Sequence, residues 1–150
     1  MANEQKVGGH YGDIRADISL DALNRFLREK CPAVKVPVEV KQFKFGQSNP
    51  TYFLKDTAGC RFVMRKKPAG KLLSSTAHAV EREYRVLNAI HQYNCRPSTA
   101  KGARIPIPEP LVLCDNASVL GTPFYVMEYL DGRIFEDVHL PEVPSEQRRE

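Results

Sequence analysis

The chain has 150 residues, of which 42% are hydrophobic and 27% are charged, and its formal net charge is +4. This composition is typical of a globular protein with one core. It excludes low-complexity and membrane-spanning classes, because no apolar stretch approaches the length of a membrane span. The N-terminus has no apolar segment, so a secretory signal is not expected. The four cysteines form no C-x-x-C pair, which favours reduced thiols inside a cell over a zinc site.

A flexible lead and a short amphipathic helix are predicted first along the chain. Residues 1–16 are polar and contain the adjacent Gly8 and Gly9, which indicates a flexible segment. Ser19 is a typical N-cap, and the residues after it repeat apolar side chains at helical spacing until Pro32. The apolar face of this helix consists of Leu20, Leu23, Phe26 and Leu27.

Three strands, a longer helix and two more strands follow. Apolar and polar residues alternate from Val38 to a turn at 46–50, and further strands are predicted at 51–55 and 60–66. Ser75 or Thr76 can cap a helix that runs to about Tyr93. The last two strands are predicted at 111–114 and 122–129, separated by a turn. The sequence therefore predicts an α+β fold with five strands.

The first candidate site is the turn between the first two strands. Gly46 can adopt backbone angles closed to other residues, and the Ser48 and Asn49 side chains with neighbouring amides would form a concave set of donors for an anion. A hairpin turn without any ligand explains the same residues.

The second candidate is the strand at 61–66. Strand alternation places Val63 and Arg65 on one face and Lys66 on the other. A cation that shares a face with a small β-branched residue suits a sheet that covers a nucleotide base and its phosphates. The alternative is an ordinary surface arginine. Five cations lie within eleven residues: Arg61, Arg65, Lys66, Lys67 and Lys71. They would attract phosphates or form a solvated face, and we expect no nucleic-acid partner.

The third candidate is a carboxylate on the second helix. At helical spacing, Glu83 projects between Leu87 and Ile90, within the apolar stripe. A carboxylate in such a position needs a cationic partner, for which Arg65 is the natural candidate. An edge carboxylate that reaches solvent is the alternative.

The fourth candidate is the strand at 123–130, which is apolar at its start and precedes the turn-forming Asp131 and Gly132. Exposed backbone groups just past Met127 would be able to contact the edge of a planar base. A plain core strand has the same appearance.

In this order, the four features resemble the small lobe of the protein-kinase fold, in the branch that contains aminoglycoside and choline phosphotransferases. The resemblance covers about residues 17–135. It implies a five-stranded antiparallel sheet with an αC-like helix and an extra N-terminal helix, and it is strongest with the phosphotransferase-like domain fused to some acyl-CoA dehydrogenases. The segments that carry it are FKFGQSNPTY at 43–52, FVMRKKP at 62–68, HAVEREYRVL at 78–87 and GTPFYVMEYLDGRIF at 121–135.

The resemblance implies roles for individual residues around the phosphates. The turn formed by Gly46, Gln47, Ser48 and Asn49 would cover the phosphates, with Ser48 in direct contact. Arg65 occupies the position of the strand lysine that holds the α and β phosphates and pairs with a helix glutamate, here Glu83. An arginine departs from the kinase pattern and leaves Lys66 as a rival, but only Arg65 shares the face of Val63.

The resemblance also implies the base pocket. Val63 and Met127 would line it, with Met127 at its back. The backbone of Glu128 and Leu130 would bond to the edge of adenine, or of guanine if GTP is the nucleotide.

The family's catalytic loop is absent from this sequence. In the family, a His-Gly-Asp-x-x-x-x-Asn loop supplies the catalytic base and a second aspartate holds magnesium, both in the large C-terminal lobe. The segment at 10–13, His-Tyr-Gly-Asp, has Ile18 where the asparagine should stand, so we reject it. We therefore expect a flexible lead at 1–16, a nucleotide-binding lobe at 17–130, and a hinge with the start of a truncated second lobe at 131–150.

These implications define two candidate functions. The first is the nucleotide-binding lobe of a small-molecule phosphotransferase that uses ATP or GTP, with magnesium in the full-length enzyme, to phosphorylate a hydroxyl, with a hydroxyacyl thioester preferred as acceptor. The alternative is a non-catalytic pseudoenzyme that binds a nucleotide or a protein. The expected partners are the nucleotide and a missing C-terminal lobe or a downstream acyl-CoA dehydrogenase-like domain. The expected location is the cytoplasm, or a mitochondrion or peroxisome for a dehydrogenase fusion.

Overall fold

A computed structural model of the chain describes residues 11–15, 17–44, 49–70, 79–133, 135 and 137–149. Six antiparallel strands form one sheet in the order β1-β2-β3-β4-β6-β5. No helix in these ranges is long and apolar enough to cross a membrane. The strands are β1 Tyr11–Gly12, β2 Glu39–Phe43, β3 Thr51–Lys55, β4 Arg61–Lys66, β5 Pro110–Cys114 and β6 Phe124–Glu128. The helices are α1 Leu20–Lys30, α2 Val80–Asn94 and α3 Ala117–Leu120, with 3-10 turns at Lys101–Ala103 and Ser145–Arg149.

The α+β class is confirmed, but the prediction of five strands was wrong by one. The additional strand is β1, which lies within the segment predicted to be a flexible lead and pairs Tyr11 with Phe43. Two residues are too few to show an alternating pattern, so this strand has no sequence signal. The turn predicted after β5 contains the short helix α3, which Asn116 caps by accepting from the Ser118 N–H at 2.9 Å.

Helix α1 forms where the sequence predicts it, but Leu20 of its predicted apolar face is exposed. The Ser19 hydroxyl accepts the Ala22 N–H at 3.3 Å, which confirms the predicted N-cap. Leu23 and Leu27 are fully buried, and the burial of each side chain stabilises the fold by about 1.5–3 kcal/mol. The ring of Phe26 meets that of Phe124 edge to face, with centroids 5.2 Å apart. Helix α1 thus packs against one face of the sheet.

The two faces of the sheet bury different sets of residues, as the alternation in β4 predicts. The main core lies on the α1 side and includes Met64 of β4, together with Tyr52, Leu54, Phe124 and Val126 of the neighbouring strands. The opposite face carries a smaller cluster of Phe43, Phe53 and Val63, with Met127 and Tyr129 packed against it. We call this second set the aromatic face. It lies on the side to which Arg65 projects, because residues two apart on a strand share a face.

Helix α2 lies over one end of this second side. It begins at Val80, with Ala79 at the N-cap, whereas the predicted capping residues Ser75 and Thr76 lie outside the described residues. Val80 is fully buried, and the ring centroid of Tyr84 is 5.8 Å from that of Tyr125 on β6. This packing brings the first turn of α2 close to the sheet.

Candidate functional site

An ion pair joins α2 to the sheet. The Nε of Arg65 lies 3.2 Å from Oε2 of Glu83, and its Nη2 donates to Oε1 at 3.5 Å. The Arg65 and Glu83 side chains are 33% and 35% exposed, so the pair lies at the boundary between core and solvent. The contact predicted between these two residues is confirmed.

Two neutral donors also hold the Glu83 carboxylate. The Asn49 amide donates from Nδ2 to Oε1 at 3.0 Å, and the Tyr125 hydroxyl donates to Oε2 at 3.1 Å. Burial and the Glu83 carboxylate raise the pKa of Tyr125 far above its ordinary value, so the hydroxyl keeps its proton and remains a donor. Each oxygen of the carboxylate therefore has a neutral donor close to it.

Tyr125 was missed in the sequence, although a signal for it exists. Strand alternation in β6 places it on the same face as Met127, two residues later. The register between β4 and β6 pairs Arg65 directly with Tyr125, and residues opposite each other in a sheet share a face. Once that pairing is known, the Tyr125 hydroxyl is expected to lie near the Arg65–Glu83 ion pair.

Among the described residues, the Arg65 guanidinium has donors without a hydrogen-bond partner. Arginine carries five N–H groups. One hydrogen bond from Arg65 reaches Glu83, and Nε, although near Oε2, is not aligned to make a second. Within the described ranges, Arg65 has no other hydrogen-bond partner. Because Nε itself is buried while the side chain is 33% exposed, the N–H groups suited to bind an anion are those of the two Nη atoms.

Lys66, the rival of Arg65, projects to the other side of the sheet. Its ammonium group donates to the Thr122 hydroxyl, which in turn donates to the Lys67 carbonyl at 2.6 Å. The Lys66 side chain is buried, and this burial lowers its pKa. It thus takes no part in the ion pair, which leaves Arg65 as the partner of Glu83.

The aromatic face provides an apolar surface beside the ion pair. Val63 lies opposite Met127 in the register of β4 and β6, and opposite Phe53 in that of β3 and β4. The Tyr11 ring stacks on Phe53 with centroids 4.8 Å apart and planes 3° apart. The Tyr129 ring meets Phe53 edge to face at 5.5 Å. Val63 and Met127 were predicted here, whereas the aromatic rings around them were not.

The segment after β6 is anchored on both sides of Leu130. On one side, the Glu128 N–H donates to the Glu109 carbonyl at 2.9 Å, so this N–H is already used within the sheet. On the other side, both Nη atoms of Arg61 donate to the Asp131 carboxylate. Between them, the Leu130 backbone makes no hydrogen bond to another described residue, and its side chain is exposed. Its N–H and carbonyl thus have no backbone partner in the part of the chain that the structure describes.

The turn predicted to cover the phosphates is described only at its end. Gly46, Gln47 and Ser48 lie outside the described residues. Asn49 is 5% exposed, and its carbonyl accepts the Thr51 hydroxyl at 3.1 Å. Its amide is directed at Glu83, so the structure joins this turn residue to α2.

No group of three or more histidine, cysteine, aspartate or glutamate side chains able to hold a metal ion occurs in the part of the chain that the structure describes.

Comparison with known proteins assigns the chain to a class. The sequence model of the phosphotransferase enzyme family matches residues 39–150. A crystal structure described as a putative aminoglycoside phosphotransferase from Ralstonia eutropha JMP134 superposes with a TM-score of 0.64 at 35% sequence identity, covering 88% of this chain and 34% of that one. The chain therefore belongs to the phosphotransferase enzyme family.

Its curated relatives are much longer proteins. Acyl-CoA dehydrogenase family member 10 of Mus musculus is 42% identical over 132 residues, which make up 87% of this chain and 11% of the relative. Acyl-CoA dehydrogenase family member 11 of Gallus gallus is 46% identical over 111 residues, or 74% of this chain and 13% of the relative. The chain thus spans about an eighth of the length of these two relatives.

Proposed function

We propose that this chain is the nucleotide-binding lobe of a phosphotransferase that transfers phosphate from ATP to a hydroxyl of a small molecule. The observation that carries the proposal is the Arg65–Glu83 ion pair, because its guanidinium is fixed beside the aromatic face and retains donors for phosphate oxygens. The membership of the phosphotransferase family supports it.

In the proposed binding mode, the described residues would contact the two ends of a nucleotide. The base would lie against Val63 and Met127, with its edge on the backbone groups of Leu130 and on the Glu128 carbonyl, because the Glu128 N–H is already bonded to Glu109. The α and β phosphates would meet Arg65, covered by the turn at 46–49. In this arrangement the apolar face excludes water from the base, while Arg65 orients and partly neutralises the phosphates.

In the proposed enzyme, a magnesium ion would supply further neutralisation of the phosphate charge. The residues of this chain bind and orient the nucleotide and do not by themselves supply the catalytic base, since the sequence has no His-Gly-Asp-x-x-x-x-Asn loop. We therefore propose that the 150-residue chain binds nucleotide but does not turn it over alone.

The proposed acceptor is a hydroxyl on an acyl thioester, and the proposed location is inside the cell. The support for both is the name of the relatives as acyl-CoA dehydrogenase family members. A dehydrogenase-like domain and a second lobe are the proposed partners in a longer protein. ATP consumption by a longer protein that contains this chain tests this acceptor. We expect consumption with a hydroxyacyl-CoA and none with the matching acyl-CoA that lacks the hydroxyl.

Calorimetric titration of the chain with ATP and with adenosine tests nucleotide binding. We expect Arg65→Ala to weaken ATP binding about tenfold or more, because a hydrogen bond to a charged group is lost, while adenosine binding stays unchanged. The matched control is Arg28→Ala, which removes one positive charge from an exposed position on α1. Absence of ATP binding at millimolar concentration, or equal ATP affinities of the Arg65 and Arg28 variants, would contradict the proposal.

A further inference from the structure

We propose that Asn49 is a positioning residue, whose amide occupies the Glu83 carboxylate so that Arg65 keeps donors free for phosphates. The inference rests on the proposed function and assigns Asn49 a different part from the rest of the turn, since its amide acts through Glu83 rather than on the nucleotide.

The distances show that Asn49 is the stronger partner of one carboxylate oxygen. Asn49 Nδ2 lies 3.0 Å from Oε1 of Glu83, whereas Nη2 of Arg65 lies 3.5 Å from the same oxygen. The orientation of the amide follows from its chemistry, because the opposite orientation would place its oxygen against a carboxylate with no proton between them. The amide therefore takes the better position at Oε1 and leaves Arg65 a longer contact.

The Asn49 side chain is buried, and within the described ranges only its Nδ2 has a hydrogen-bond partner. Its Oδ1 is buried and has no hydrogen-bond partner, so the bond to Glu83 is the one that its amide makes within the described ranges. The backbone around it is fixed, because Thr51 donates to the Asn49 carbonyl and the Lys66 N–H donates to the Pro50 carbonyl at 3.0 Å. The end of the turn is thus held against α2.

The consequence concerns the geometry of Arg65. A guanidinium and a carboxylate favour a bidentate arrangement with two parallel hydrogen bonds. Here Asn49 at Oε1 and Tyr125 at Oε2 satisfy part of the carboxylate, so the ion pair makes one long hydrogen bond and leaves Nε unaligned. Without the Asn49 amide, the guanidinium would turn to bind Glu83 through two hydrogen bonds and would offer fewer donors to phosphate.

Two measurements on Asn49→Ala test this inference. With 15N-labelled chain in the absence of nucleotide, we expect the Arg65 Nε–Hε signal to shift, because this buried N–H gains an aligned acceptor in the Glu83 carboxylate. In the calorimetric titration, we expect ATP affinity to fall about tenfold, the effect of a lost charged hydrogen bond, with adenosine affinity unchanged. In the Arg65→Ala background, Asn49→Ala should then have no further effect on ATP.

A second variant reverses the polarity of the side chain without changing its size, and circular dichroism checks that both variants are folded. Asn49→Asp keeps the size of the side chain but replaces the donor by a charged acceptor, so it should draw Arg65 away and weaken ATP binding at least as much. An Arg65 Nε–Hε signal unchanged in both folded variants, or an equal loss of ATP and adenosine affinity, would overturn the inference. If wild type binds no ATP while the Arg65 signal still changes in Asn49→Ala, the proposed function fails and the positioning role stands.

Discussion

Replacement of Glu83 by alanine removes the acceptor on which three side chains converge. The Asn49 amide and the Tyr125 hydroxyl are both in buried side chains, and each would lose its bond to Glu83. A buried polar group left without a partner costs about 1–3 kcal/mol. The Arg65 ion pair is about a third exposed, so solvent screening limits its contribution to roughly 0–1 kcal/mol.

The expected loss is smaller than the sum of these contributions. Water can reach part of the vacated space, because the Glu83 side chain is 35% exposed. We therefore expect Glu83→Ala to lower the free energy of unfolding by about 2–4 kcal/mol. Glu83→Gln keeps one acceptor oxygen and should cost about half as much, roughly 1–2 kcal/mol.

Urea unfolding followed by circular dichroism measures the change, and Glu81→Ala is the matched control. Glu81 lies in the same first turn of α2, so it shares the helix dipole and the gain in helix propensity on replacement by alanine. Its side chain makes no hydrogen bond or ion pair with another described residue. Equal unfolding free energies for Glu83→Ala and Glu81→Ala, within about 0.5 kcal/mol, would refute the claim that Asn49, Arg65 and Tyr125 depend on the Glu83 carboxylate for stability.

Three further variants probe other parts of the fold. Leu27→Ala should lower the free energy of unfolding by about 2–4 kcal/mol because Leu27 is fully buried, and a loss below about 1 kcal/mol in urea unfolding would show that α1 is not part of the core. Tyr125→Phe removes one hydroxyl and should cost about 1–2 kcal/mol in wild type but almost nothing in Glu83→Ala; equal costs in both would disprove the hydrogen bond between them. Lys66→Met tests the effect of burying an ammonium group. Burial lowers the pKa of Lys66 in the folded state, so its charged form lowers the stability of the fold at neutral pH. This loss of stability becomes smaller as the pH rises through the folded pKa towards the unfolded pKa. The stability of Lys66→Met relative to wild type should therefore fall between pH 7 and pH 10, and a rise would show that the sign is wrong.

The parts of the fold predicted from sequence are those fixed by local patterns. Ser19 directly precedes an apolar repeat at helical spacing, so the sequence predicts both the helix and its N-cap. Alternation within β4 separates Arg65 from Lys66, because a strand turns successive side chains to opposite faces. The contact between Arg65 and Glu83 was predicted on two grounds. A carboxylate in an apolar stripe needs a cationic partner, and the resemblance to the kinase small lobe pairs these two positions.

The parts that were missed depend on contacts between distant segments. Asn49 is 34 residues from Glu83, and Tyr125 is 42 residues from it, so neither hydrogen bond leaves a local pattern. Only the register of the sheet places Tyr125 opposite Arg65. The position of Tyr11 on Phe53 depends in the same way on the pairing of β1 with β2.

Titration of the 15N-labelled chain with ADP, followed by NMR, tests the central claim most directly. The account predicts that the amides of Val63, Met127 and Leu130 and the Nε–Hε group of Arg65 shift together with one dissociation constant, while amides of α1 on the opposite face of the sheet do not move. Shifts confined to α1, or scattered over surface lysines without saturation, would contradict a nucleotide site on the aromatic face.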